Sequence, residues 1–275
     1  MMEKQTNIVS NLVSVIIPAY NAADFISKAL ESVQGQTYTA WEIIVVEDGT
    51  QDGTEDIVKR IEGISSDCQV RCIRHLINKG ASAARNTGIT ESKGEYIALL
   101  DHDDTWKPCH LESLIRLMDE TSSDLVFSPT EFFHYSSHKL MGFHGPNEQE
   151  WANFPSSLLS RNYVPASGIL MRRDTFNGVG EFDTNIRGVE DLDYWLRCLQ
   201  FGNKFGYFPE VTNGYRQQSP EAITSDKIKI LELHALLLRK HSKLTFVSKS
   251  LRNLLLARYH RVQPSLARLT TRICH

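Results

Sequence analysis

No stretch of this sequence is long and apolar enough to cross a bilayer. The longest runs, such as VSVIIPAY (13–20), fall far short of the ~20 residues a spanning helix needs. The opening MMEKQTNIVSNL is too polar to serve as a signal peptide, and no Asn-x-Ser/Thr sequon occurs. The expected location is therefore the cytoplasm. Cysteine is scarce: Cys68, Cys72, Cys109, Cys198 and Cys274 are odd in number and contain no C-x-x-C pair. That excludes a disulfide framework and a structural zinc site, leaving reduced thiols. Internal repeats and low-complexity segments are absent too. Acidic residues stop at Glu232, after which Arg239, Lys240, Lys243, Lys249, Arg252, Arg258, Arg261, Arg268 and Arg272 supply nine positive charges. The preceding 232 residues carry 21 basic against 33 acidic groups, so an acidic body precedes a basic tail.

What is present is an ordinary globular composition, 41% hydrophobic and 23% charged over 275 residues, enough for one large domain with an appendage. Apolar, β-branched runs alternate with helical patterns. VSVIIPAY precedes DFISKALESVQGQ, WEIIVVEDG precedes TEDIVKRIEG, VRCIRHL precedes GASAARNTGITESKG, and EYIALLDHDD precedes HLESLIRLMDE. DLVFSPTEFF reads as a further strand. This alternation predicts an α/β fold, a mostly parallel central sheet flanked by helices. Ligands of such sheets bind outside the carboxyl ends of the strands, which gathers Asp48 and Asp101 to Asp104 on one edge. From about 130 to 165 the pattern degrades into His, Gly, Pro and aromatic residues, predicting a long loop over the site. Regularity returns with ASGILMRR, GVGEFDTNIRGVEDLDYWLRCLQFG and KFGYFPEV. The expected division is an α/β domain over 1–225 and a basic helical C-terminal extension over 226–275.

The acidic run DHDD (101–104) poses the chemical question. Carboxylates crowded at a strand end repel one another, so keeping them ionised is costly without a cation. A hard divalent ion, Mg²⁺ or Mn²⁺, takes carboxylate oxygens and leaves positions for water and phosphate. D-x-D-D is thus a clamp for metal plus diphosphate, or a set of turn residues capping the helix after Pro108. DHDDT also resembles the nucleophile loop of haloacid dehalogenase phosphatases, although that loop follows the first strand of its domain and this one the fourth.

The run VSVIIPAYNAADFISKALESVQGQTYTAWEIIVVEDGTQDGT, followed in order by NKGASAARNTGI, YIALLDHDD and GVGEFDTNIRGVEDLDYWLRC, resembles glycosyltransferase family 2, inverting enzymes of the GT-A (Rossmann-like) fold. The motifs span roughly residues 12 to 220. The resemblance implies a UDP-sugar donor, a divalent metal, Mn²⁺ or Mg²⁺, and transfer of a hexose or N-acetylhexosamine to a glycan or lipid-linked acceptor hydroxyl in surface polysaccharide biosynthesis. It implies a nucleotide site from Pro18, Ala19, Tyr20, Asn21, Asp48, Arg85, Asp101, His102 and Asp103, with Asp48 accepting from the base. Metal ligands would be Asp101, Asp103 and Asp104. Glu47 stands where the family usually has Asp. Glu190 and Asp191 match its Glu-Asp pair, with Asp191 the general base. A sugar hydroxyl must lose a proton as it attacks, and a helix N-terminus favours ionised Asp. Asp193 points elsewhere, and Trp195 and Leu196 read as packing.

Several further candidates remain. His134 and His138 have a metal-binding helical spacing in a region that does not read as helix. Tyr215 and Arg216 resemble a late motif near the diphosphate, followed here by Gln217 and Gln218 where many relatives have a His. The sugar-selecting residues are expected within 130–170. The tail mixes Leu clusters with Arg and Lys at helical spacing, which suits peripheral contact with the inner face of the cell membrane or packing on the domain or on a second subunit as a homo-oligomer. Nucleic acid is disfavoured by the acidic body. The alternative to an enzyme is a nucleotide-sugar-binding or scaffold module.

Overall fold

The structure, a computed structural model, describes residues 8–62, 69–134 and 139–217 and the isolated positions 233, 237, 240 and 241. The chain divides into two units. One comprises residues 1–146 and 163–217, the other 147–162 and 218–275. The expected boundary at 225/226 and most of the basic tail lie outside the described residues, as does His138.

The first unit begins with β1 (Val9–Ala19), α1 (Ile26–Gln34), β2 (Trp41–Asp48), α2 (Thr54–Glu62), β3 (Gln69–His75), α3 (Ala81–Glu91) and β4 (Gly94–Leu99). It continues with β5 (Thr105–Trp106), α4 (His110–Thr121), β6 (Leu125–Phe127), β7 (Thr130–His134) and β8 (Leu140–His144). In chain order the second unit then contributes α5 (Glu148–Ala152), and the first resumes with β9 (Ile169–Arg172), α6 (Arg173–Val179), α7 (Glu190–Gln200), β10 (Phe205–Tyr207) and β11 (Asn213–Gln217). A seven-stranded sheet runs β10-β6-β9-β4-β1-β2-β3, and a four-stranded one β5-β11-β7-β8. In the larger sheet β9 is antiparallel to both neighbours and the other pairings are parallel.

The continuous apolar runs become strands because both faces are covered. Val13 to Ala19 of β1 and Glu42 to Asp48 of β2 are buried throughout. α1 buries Ile26, Ala29, Leu30 and Val33, the i, i+3, i+4, i+7 stripe of an amphipathic helix. α3 is rich in small residues and sits very close to the sheet: a Cβ on Gly88 would lie 2.5 Å from Ile16 Cγ2. After β3 the chain crosses back to place β4 on the other side of β1. That reversal beside β1 opens the crevice at the carboxyl edge. Trp195 and Leu196 are fully buried in the core, and Asp193, also buried, pairs with Arg197 at 3.2 Å.

Two expectations change. Residues 130–165 are not one long loop: β7 and β8 form an antiparallel pair there, and Asn147 and Glu150 close a capping box on α5. DLVFSPTEFF splits at Ser128-Pro129 into β6 and β7, which belong to different sheets, because proline cannot continue a ladder. Among the described residues, no helix is long and apolar enough to cross a membrane.

Candidate active site

The carboxyl edge of the larger sheet brings β2, β3, the start of α3, the turn after β4 and the start of α7 together. Asp48 ends β2 and is 3% exposed. Its Oδ1 lies 2.7 Å from His75 Nδ1 and 2.9 Å from Lys79 N, and its Oδ2 accepts from Gly80 N at 2.7 Å and Lys79 N at 3.1 Å. A carboxylate offers about four acceptor directions. The expectation that Asp48 accepts directly from a base therefore meets a group already holding three protein donors. Glu47 is buried beside it, accepting from Thr50 Oγ1 at 3.1 Å, with Arg74 Nε 3.6 Å away.

Of the residues expected to border a nucleotide, Pro18 and Ala19 are buried at the end of β1, whereas Tyr20 is 47% exposed and Asn21 has left-handed backbone, φ 51°. His102 reaches back to them, its Nδ1 3.2 Å from Pro18 O, which ties the DHDD turn to the end of β1.

The three aspartates of that turn part company. Asp104 N donates to Asp101 O at 3.0 Å, closing a tight turn that leaves Asp101 and Asp103 partly open and buries Asp104. Asp104 Oδ1 accepts from Arg216 N at 3.3 Å. Burial, then Asp103 and Asp101, push its carboxyl well above the ordinary range. Ser167 Oγ accepts from Asp101 N at 3.0 Å and its side chain bonds Asp104, while Ser167 O accepts from Trp106 Nε1 at 2.6 Å, so one serine braces the whole turn. Asp104 is thereby removed from the set that faces solvent.

Among the described residues no three His, Cys, Asp or Glu side chains form a ready-made metal cage. Asp101 and Asp103 nevertheless fit a hard divalent ion. They are two partly exposed oxygen donors in a turn dense with negative charge, leaving coordination positions for water and phosphate.

Arg85 joins the halves of the site. Its guanidinium, on α3 and 3% exposed, donates through Nη2 to Asp101 Oδ1 at 2.8 Å and through Nη1 to Glu190 Oε1 at 3.2 Å. Burial opposes its charge, but Asp101, Glu190 and Asp191 outweigh that and raise its pKa, so the guanidinium stays ionised. Glu190 also accepts from Gly188 N at 2.5 Å, so both its oxygens are engaged. Asp191, partly exposed in the first turn of α7, accepts from Leu192 N at 2.7 Å.

The late motif also arrives here. Arg216 lies over the Phe25 ring at 4.6 Å, and Tyr215 packs edge-on against Phe132 in the smaller sheet. His134 sits in β7, a strand, so the helical His spacing does not arise. Sequence reasoning missed His75 and Ser167. Neither lies in an acidic or glycine-rich run; His75 merely ends a strand pattern.

The model of the family described as glycosyl transferase family 2 matches residues 14–176. TuaG of Bacillus subtilis, provisionally named a teichuronic acid biosynthesis glycosyltransferase, is 31% identical over 242 residues, covering 86% of this chain and 90% of its own. WfaP of Escherichia coli, named a UDP-Glc:α-D-GlcNAc-diphosphoundecaprenol β-1,3-glucosyltransferase, is 33% identical over 221 residues, covering 80% and 82%. The crystal structure of S. aureus TarS 1–349 with UDP-GlcNAc superposes with a TM-score of 0.69 at 18% identity, covering 92% of this chain and 72% of that one. At that identity the likeness establishes the fold alone.

Proposed function

The chain belongs to glycosyl transferase family 2 and is a glycosyltransferase of the GT-A fold; from that premise we propose that it moves a hexose or N-acetylhexosamine from a UDP-sugar to a hydroxyl of a glycan or lipid-linked acceptor, with inversion, in surface polysaccharide biosynthesis. The names of the relatives support this reading. WfaP's names a UDP-glucose donor and a diphosphoundecaprenol-linked acceptor, and TuaG's names teichuronic acid biosynthesis. Membership of the family displaces the phosphatase alternative. Work on a lipid-linked acceptor would place the protein at the inner face of the membrane.

The observation that carries the mechanism is the Arg85 fork. It spans 2.8 Å to Asp101 and 3.2 Å to Glu190, so the metal motif and the start of α7 sit within one guanidinium. Glu190, with both oxygens bound, anchors α7. Asp191, one residue on and partly exposed, would take the proton from the acceptor hydroxyl as that oxygen attacks the anomeric carbon from the face opposite the leaving group. Asp101 and Asp103 would hold Mg²⁺ or Mn²⁺, which when bound supplies positive charge against the leaving diphosphate. Pro18, Ala19, Tyr20 and Asn21 border the base and ribose, and the exposed Tyr20 ring provides a face for stacking.

The test is UDP release from a panel of UDP-sugars with a lipid-linked acceptor, in wild type and Asp191→Asn. Turnover should be lost while UDP affinity is kept. Normal turnover in the variant would remove Asp191 as the base, and absence of UDP affinity in the wild type would remove the donor assignment.

A further inference from the structure

We infer that His75 is a positioning residue for the donor: through its Nδ1–H it orients Asp48, which in turn fixes the backbone N–H groups of Lys79 and Gly80 at the nucleotide edge. The inference rests on the reading of this edge as a UDP-sugar site.

The hydrogen can be placed by chemistry. An ionised carboxylate only accepts, so the 2.7 Å contact between Asp48 Oδ1 and His75 Nδ1 requires the proton on Nδ1. The other ring nitrogen, Nε2, shares a hydrogen bond with Thr87 Oγ1, 2.9 Å away on α3. Asp48 and His75 are register partners of β2 and β3. The ring therefore links β2, β3 and α3, and the segment 76–80 is the chain that runs from β3 into α3.

That segment has little else to hold it. Leu76 and Ile77 are 93% and 68% exposed, and Asn78 and Lys79 are exposed as well, so side-chain packing contributes almost nothing to its position. Its backbone instead lies directly on the end of β2: a Cβ on Gly49 would come within 2.3 Å of Asn78 N. From there Lys79 N and Gly80 N turn onto the Asp48 carboxylate. Gly80, at φ +92°, makes the bend that starts α3, the helix carrying Arg85. A segment with few apolar contacts keeps its place through its hydrogen bonds, and the N–H groups of Lys79 and Gly80 converge on an aspartate whose third donor is His75. Neither Asp48 nor His75 needs to touch the sugar for this to govern how the donor is held.

Two substitutions separate the Nδ1 donor from the bulk of the ring. The amide of Asn places an N–H close to the position of Nδ1, whereas the longer Gln amide reaches the position of Nε2. The experiment measures hydrogen–deuterium exchange of the full-length protein over 76–80, together with UDP affinity and, in the steady state, KM for the donor and kcat. In His75→Gln the Lys79 and Gly80 amides should exchange about tenfold faster and KM should rise about tenfold with kcat nearly unchanged, the size expected when one hydrogen bond to a charged group is lost. His75→Asn should stay near wild type in both. Unchanged exchange in His75→Gln, or equal damage in both variants, would overturn the inference. Faster exchange in His75→Gln beside a wild type with no affinity for UDP would uphold the anchoring and overturn its purpose in donor binding, which keeps the two failures apart.

Discussion

Acidification from pH 8 to pH 5 should weaken this protein through one buried side chain, His110. The ring opens α4, is fully buried and stacks on Trp106 with centroids 4.5 Å apart. Its Nδ1 is 2.7 Å from Thr212 Oγ1, and that hydroxyl donates onward to Ser128 Oγ at 2.7 Å, so Nδ1 must be the donor. Nε2 is buried with no hydrogen-bond partner among the described residues. A proton added there creates a charged donor with nothing to receive it, and burial accordingly pushes the His110 pKa down to about 3. The folded pKa thus lies below the unfolded value near 6.5, so the stabilisation is complete above about pH 6.5 and is lost as the pH falls toward the folded value. At pH 5 the difference of about 1.5 pH units corresponds to roughly 2 kcal/mol, about thirtyfold in the unfolding constant. His110→Asn keeps a donor for Thr212 but does not titrate. It should be less stable than wild type at pH 8 by about 1–3 kcal/mol, for the lost ring volume. That gap should narrow by about 2 kcal/mol at pH 5, as read from urea unfolding of the two proteins at matched pH. Every other group that titrates in this interval is common to both and cancels. A gap that is the same at pH 8 and pH 5 would refute the assignment of His110 as a neutral, half-bonded core residue.

Arg85→Lys should lower kcat/KM about 10- to 100-fold and stability by about 1–3 kcal/mol, because a single ammonium cannot bond Asp101 and Glu190 together as a planar fork does; wild-type kinetics in that variant would show that charge alone is used. Chelation of divalent cations should weaken UDP binding by about tenfold or more, since the diphosphate would then face Asp101 and Asp103 without a counter-ion; equal affinity with EDTA and with Mn²⁺ would refute a metal at that pair.

The strands that carry the site could be read from sequence because burial on both faces leaves a simple signal: VSVIIPA and WEIIVVED are nearly unbroken apolar runs. The smaller sheet could not. β5 has two residues, β11 pairs with β5 and β7 across more than 80 positions of sequence, and the β7–β8 pair is written in Phe, His and Gly, which carry no alternation. The fate of Asp104 was equally hidden. Asp101, Asp103 and Asp104 are chemically alike, and only the turn that bonds Asp104 N to Asp101 O, with Ser167 arriving just ahead of β9, sends one of them inward. His75 gave no signal at all, since the run VRCIRHL places it merely as a strand end. Its importance comes from the register that sets it opposite Asp48.

These details bear on why one arginine is buried where five carboxyl groups gather. Asp101, Asp103, Asp104, Glu190 and Asp191 come from two segments nearly 90 residues apart, and their mutual repulsion would otherwise drive the end of β4 from the start of α7. Removing a guanidinium from water is costly, and the cost is offset only where its partners are fixed and charged. Arg85 meets that condition by bonding one carboxylate from each segment, and its Nε has no hydrogen-bond partner among the described residues, a further expense that packing alone would not demand. Because the fork neutralises at most part of the negative charge, the edge still favours a further cation over a free anion. A diphosphate entering alone would be repelled, and one entering with a divalent ion would not. The same residue that makes the two halves of the site compatible thus leaves part of the negative charge uncompensated, which under the proposed function would favour a donor diphosphate entering together with a divalent ion.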